Sequence, residues 1–162
     1  MTEYSRFYSK NWLQKNAIDF TIYTRAHFDI SIDSDTLYLI KLPSYNPRIP
    51  VILLFGWWAS FYSDSVRKTK IENYRSSWID PSGAVISNNF EKDIFLKFSL
   101  VDLPKYLTYR KNGTISDGLI FNYDNNKLVL QNSKEECNQL IDYLNGVGTQ
   151  IKIDTSSHFA LN

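Results

Sequence analysis

Arg25, His27 and Asp29 fall at alternate positions of one segment, with Tyr23 just before them. Alternate residues of an extended chain share a face. A cation, a base and an acid would therefore meet there, which is the equipment for general acid–base work on a phosphodiester. An ordinary solvated sheet face has the same composition, and that reading is the stronger one. Asp29, Asp33 and Asp35 crowd three carboxylates into the same region. They lack the ligand spacing and central glycine of a calcium loop, so they predict a turn and an acidic surface.

The remaining reactive types are spread thinly. Cys137 is the single cysteine, which excludes an internal disulfide and a thiolate metal cluster. Its place on an apolar helical stripe predicts a buried, inert thiol. Gly146-Val147-Gly148 follows a predicted helix, whereas a phosphate loop precedes one, so these glycines read as a helix end. Arg67, Lys68, Lys70 and Arg110, with Tyr62, Tyr74 and Tyr106 nearby, could track a nucleic-acid backbone. Phe55-Gly56-Trp57-Trp58-Ala59-Ser60-Phe61-Tyr62 is the densest aromatic run. Adjacent Trp57 and Trp58 on a strand would face opposite sides. Either that strand is covered on both faces, or one tryptophan lies at an interaction surface, where Trp and Tyr are favoured anchors.

Composition narrows the choice. The chain has 162 residues, of which 43% are apolar and 15% aromatic, with a net charge of +1. That is enough for one domain with a substantial core, and too apolar for disorder. A near-neutral chain generates no whole-surface field for nucleic acid or anionic lipid, so neither partner is expected. The longest uncharged run, 49–63, holds Pro50 and Gly56 and is shorter than the roughly 20 residues a bilayer crossing needs. These features predict a cytoplasmic protein without a cofactor.

The elements that must position these residues follow from periodicity. Tyr4, Phe7, Tyr8, Asn11 and Trp12 have helical spacing, and Thr2 could cap a helix over Glu3–Lys15. Alternation from Ile18 to Asp33 predicts a long strand that bends, with Phe28, Ile30 and Ile32 inward and His27, Asp29 and Ser31 outward. Asp33-Ser34-Asp35-Thr36 reads as a turn before a strand over Leu37–Leu42. Pro43 to Pro50 reads as a loop, Val51–Phe55 as a buried strand, 64–75 as a helix, and Asp80-Pro81-Ser82-Gly83 as a turn. Ile94, Leu96, Phe98 and Leu100 alternate as a strand. Asn125-Asn126 would close a hairpin pairing Phe121 with Leu130 and Tyr123 with Leu128. Ser133-Lys134-Glu135-Glu136 is a capping box ahead of Cys137, Leu140, Ile141 and Leu144, with Gly146 ending that helix. Ile151 and Ile153 close with a short strand. The order predicts one α+β domain over 1–162: a largely antiparallel sheet, an N-terminal helix, and a C-terminal helix followed by a short strand.

Small size, surface-capable aromatics and a codon bias toward Phe, Tyr, Ile, Asn and Lys complete a profile. That profile resembles the bacterial immunity proteins of polymorphic and contact-dependent growth-inhibition toxin systems, which are standalone domains often encoded in AT-rich islands. The resemblance implies a protein-binding module, not an enzyme, that neutralises a cognate toxin domain. Asp29, Asp33 and Asp35 would meet basic residues, and Trp57, Trp58 and Tyr62 would anchor the partner. Immunity proteins against nucleases are often clearly acidic, and this chain is neutral. The alternatives are a small nuclease-like enzyme using His27, Asp29 and Arg25, and a nucleic-acid binder using the basic clusters.

Overall fold

The computed structural model describes residues 7–15, 26–43, 64–81, 87, 89–111 and 116–155. The bent stretch expected around 18–25, the proline loop beyond 43, the strand over 51–55 and the aromatic run with Trp57, Trp58 and Tyr62 lie outside these residues. Among the described residues eight strands form one sheet. They are β1 (Phe7–Gln14), β2 (His27–Ile32), β3 (Thr36–Lys41), β4 (Ile94–Ser99), β5 (Leu107–Arg110), β6 (Ser116–Tyr123), β7 (Asn126–Ser133) and β8 (Lys152–Asp154). Their order is β4-β3-β2-β1-β7-β6-β5-β8. Neighbours run antiparallel except the β5–β8 pair, which is parallel. Among the described residues three α-helices accompany them, α1 over 64–75, α2 (Leu103–Tyr106) and α3 (Lys134–Gly146), with a short 3-10 turn at Glu91–Asp93. The chain is therefore the expected single-domain α+β fold with a largely antiparallel sheet.

The sheet curls. Phe98 of β4 and Phe121 of β6 stand five places apart in the strand order, yet their rings stack with centroids 5.5 Å apart. Phe95 of β4 also meets Tyr123 of β6, edge to face, with centroids 6.4 Å apart. The concave side holds the main core, where Trp12, Phe28, Ile30, Leu39, Leu119, Phe121 and Leu130 pack against Cys137, Leu140, Ile141 and Leu144 of α3. The i, i+3, i+4, i+7 face expected for α3 is the one it buries.

The N-terminal segment is a strand where helical spacing predicted a helix. Ser9 pairs with Ile30 and Trp12 with Phe28, so Lys10 and Asn11 together face the single residue Asp29. The inserted residue is a β-bulge. It brings Trp12 onto the main-core side that Phe7 packs against, five positions further on, and so breaks the alternation that would have marked a strand. Asn11 takes φ 67° there, a left-handed conformation that Asn tolerates better than most residues.

Two turns also differ from expectation. The β6–β7 hairpin pairs Phe121 with Leu128 and Leu119 with Leu130, a slip of two residues from the predicted register. The turn is Asp124-Asn125, both at positive φ (44° and 62°), as a tight two-residue hairpin turn requires. A two-residue slip preserves parity, so the inward faces agree in both registers and alternation alone could not choose. At the end of α3, Gly146 stays helical and Gly148 is the left-handed residue, at φ 85°. The Thr149 amide donates to Leu144 O at 2.8 Å and the Gly148 amide to Asn145 O at 3.0 Å, which is the Schellman arrangement. Only half of the predicted capping box forms. Ser133 Oγ accepts from the Glu136 amide at 3.3 Å, but the Glu136 carboxylate turns away to accept from Ser9 Oγ at 2.7 Å.

Candidate protein-binding surface

β2 is covered on both sides, and this decides what its polar residues can do. Phe28, Ile30 and Ile32 face the main core as predicted, while Asp29 and Ser31, expected to face solvent, are each 0% exposed. The cover is α1 and the turn after it. Ile40, Trp78, Ile79 and Phe90 form a second apolar cluster on the convex side, joined by Tyr8, Tyr38, Tyr74 and Ile94. Arg67, Ile71 and Arg75 recur every four residues along α1, and all three are buried. The helix therefore presents two arginines to the sheet.

Arg75 reaches Asp29. Its Nε donates to Asp29 Oδ2 at 2.8 Å and its Nη2 to Asp29 Oδ1 at 2.7 Å, a bidentate pair. The Asn11 amide donates to Asp29 Oδ1 at 3.0 Å, and Asn11 Oδ1 accepts from Arg75 Nη2 at 2.9 Å. The bulge thus supplies both a donor and an acceptor to the pair. Tyr8 Oη donates to Asp29 Oδ2. Burial and the Asp29 carboxylate push the Tyr8 hydroxyl far above its ordinary range, so it stays a donor. Burial opposes the charge on Arg75, but its hydrogen bonds to Asp29 outweigh that and hold the guanidinium protonated. Removing two charges from water is costly, and only such full satisfaction makes it tolerable. Asp29 is therefore an internal fastener rather than the partner-facing carboxylate the sequence predicted.

His27 is fastened separately. Arg67 Nη1 lies 2.5 Å from its Nε2, and Arg67 Nη2 donates to Asp64 Oδ1 at 2.6 Å. Hydrogen bonding from Lys68, then from Arg67, holds the Asp64 carboxyl below its ordinary value. His27 and Asp29 therefore serve different arginines, and these two members of the alternative acid–base set are not brought together. Arg25 lies outside the described residues. Of the basic clusters, Arg67 is spent internally, and Arg110 Nε sits 3.5 Å from Asp154 Oδ2 across the β5–β8 pair.

Between α1, β1 and α3 runs a groove of about 550 Å³, lined by Tyr8, Lys10, Glu72, Arg75, Asp80 and Glu136 among others. Arg75, with its Asp29 partner behind it, closes one wall. Glu72 Oε1 accepts from Arg75 Nη1 at 2.8 Å at the rim.

Asp33 and Asp35 lie together in the β2–β3 turn, as expected. Asp33 is half-buried and works inward. Its Oδ1 accepts from the amides of Asp35 and Thr36 at 3.4 and 3.3 Å, and its Oδ2 accepts from Tyr38 Oη at 3.0 Å. Burial and that bond raise the Tyr38 hydroxyl. Asp35 is exposed, and its carboxylate accepts only from the adjacent Thr36 Oγ1, at 3.0 Å, among the bonds the structure places on it. Beside it stand two apolar side chains that sequence reasoning missed: Val101, 85% exposed, and Val147, 46% exposed. Both line a notch of about 360 Å³, together with Asp35, Leu100, Pro104 and Gly148. The backbone here is pinned, since the Leu100 amide donates to Asp35 O at 2.7 Å and Thr149 Oγ1 to Leu100 O at 3.4 Å.

Arg75 and Asn11 carried a readable signal. An arginine on the apolar stripe of a helix needs a buried acid, and an Asn amid strand residues is apt to mark positive φ. Val101 and Val147 carried none, because exposure depends on which loops meet. Cys137 is fully buried, and burial pushes its thiol up to about 12. Among the described residues no group of three or more His, Cys, Asp or Glu side chains is placed to hold a metal ion, and no helix is long and apolar enough to cross a membrane. No family model, curated protein or solved structure matches the chain.

Proposed function

We propose that the protein is a binding module that neutralises a cognate toxin domain by tight association, as bacterial immunity proteins do. One observation carries this reading: Val101, 85% exposed, stands beside the free-facing carboxylate of Asp35 on pinned backbone. Apolar side chains already fixed in place lose little entropy on docking, so more of their burial appears as affinity. A neighbouring carboxylate speeds encounter with a basic partner, and the apolar contact slows its release. Asp33 contributes by shaping the turn rather than by touching the partner. Trp57, Trp58 and Tyr62 remain the proposed aromatic anchors.

Co-expression with the product of the adjacent upstream reading frame tests the reading. A complex that survives purification and removes the toxicity of that product is expected. A neighbouring frame without toxicity, or a toxic product that does not co-purify, overturns it.

A further inference from the structure

The notch lined by Val101 and Val147 is large enough to receive an apolar side chain. Leu100, 7% exposed, lines it together with the two valines, Pro104 and Gly148. Three separate pieces of chain build it: the β2–β3 turn, the segment between β4 and α2, and the end of α3. Each is fixed by its own bonds. Asp33 closes the first turn, the Asp102 amide donates to Ser99 O at 3.1 Å in the second, and the Schellman bonds at Gly148 close the third. The notch therefore exists before anything enters it.

Its net charge is acidic. Asp35 lies on one side, and Asp102 follows Val101 in the chain with its side chain 49% exposed. Lys105 Nζ lies 2.6 Å from Asp102 Oδ1, so that carboxylate is compensated, whereas among the described residues no ion pair falls on Asp35. An acidic partner surface would meet that charge with repulsion, whereas lysines or arginines would complete it.

We infer that this end of the molecule docks a basic protein surface, inserting a branched apolar side chain beside Val101 and Val147 while a flanking Lys or Arg meets Asp35. The inference rests on the proposed binding function and names the chemistry of the partner at that site.

Two measurements separate the inference from the reading beneath it. In the first, the ¹⁵N-labelled protein is titrated with the capped peptide Arg-Lys-Leu-Lys-Arg and with its Glu-Glu-Leu-Glu-Glu counterpart. Shifts confined to the amides of Asp35, Val101, Val147 and Gly148 are expected with the basic peptide alone. Asp35→Lys and Val147→Asp, each on the exposed face, should weaken them by about tenfold or more while circular dichroism stays unchanged. Shifts elsewhere, no shifts, or equal response to the acidic peptide would overturn the inference. In the second, the same variants are tested against the co-expressed neighbour. Undiminished binding by both variants sinks the docking surface and leaves the neutralising function standing. Peptide shifts at the notch without any complex with the neighbour do the reverse.

Discussion

Asp29 shows how little a residue type says without its surroundings. The pair it makes with Arg75 is buried on both sides, so losing either member leaves an uncompensated charge. Arg75→Ala should cost about 3–5 kcal/mol in urea denaturation, and Asp29→Leu combined with Arg75→Leu should recover most of that loss. Asn11 offers a finer test, because its backbone conformation and its side chain can be separated. Asn11→Gly keeps the left-handed φ and loses only the bond to Arg75. Asn11→Ala loses both, and should be the less stable of the two by roughly 1 kcal/mol. Cys137 sets a pH dependence. Its thiol ionises near 9.0 when exposed but only near about 12 when folded. A raised folded value means the contribution is complete below pH 9 and is lost as pH rises from there toward 12. In urea titrations between pH 9 and 10.5, Cys137→Ala should remove about 1 kcal/mol per pH unit of that decline. The slope from the raised Tyr8 and Tyr38 hydroxyls should remain.

At the scale of elements, α3 separates what patterning can see from what it cannot. Its apolar stripe and its Ser133 cap were legible because both depend on residues within a few positions of each other. Which glycine ends it was not legible, since Gly146 and Gly148 differ only in φ. Thermal melts settle the assignment. Gly146 is helical, and an added Cβ there meets nothing within 4 Å, so Gly146→Ala should stabilise by about 0.5–1 kcal/mol. Gly148→Ala forces a side chain onto left-handed backbone and should destabilise by about 1 kcal/mol. The N-terminal strand was misread for a related reason. A bulge adds one residue to a period of two, and the broken alternation no longer marks a strand. The hairpin slip has its own cause, since parity restricts register to steps of two and only the turn's dihedrals choose among the steps. α2 and β5 were missed because four-residue elements are too short to display a period at all.

The whole molecule was legible in outline, because an α+β class follows from alternation, hairpins and one well-capped helix. Its curl was not, because the contact of Phe98 with Phe121 joins β4 to β6 across four intervening strands. Those rings close the concave core, and Phe98→Ala should cost about 3–5 kcal/mol, read from chemical denaturation. The candidate surface shares this origin. Asp35 could be placed on a turn from its neighbours, but Val101 and Val147 become its companions only once the sheet has curled and α3 has docked.

β1 and β7 meet through two paired positions, Leu13 with Gln131 and Gln14 with Leu130. β6 and β7 share eight such positions, and β1 and β2 share five. Ahead of Leu13, α3 and β7 side chains bridge the gap, as in the Phe7–Tyr143 ring stack and the bond from Asn132 Nδ2 to Lys10 O. Mechanically this makes the middle of the sheet a tear line. Under tension from handles at Lys10 and Lys127, the molecule should part there first, at low force. Two four-stranded halves should still be intact before a second, stronger event unravels either one.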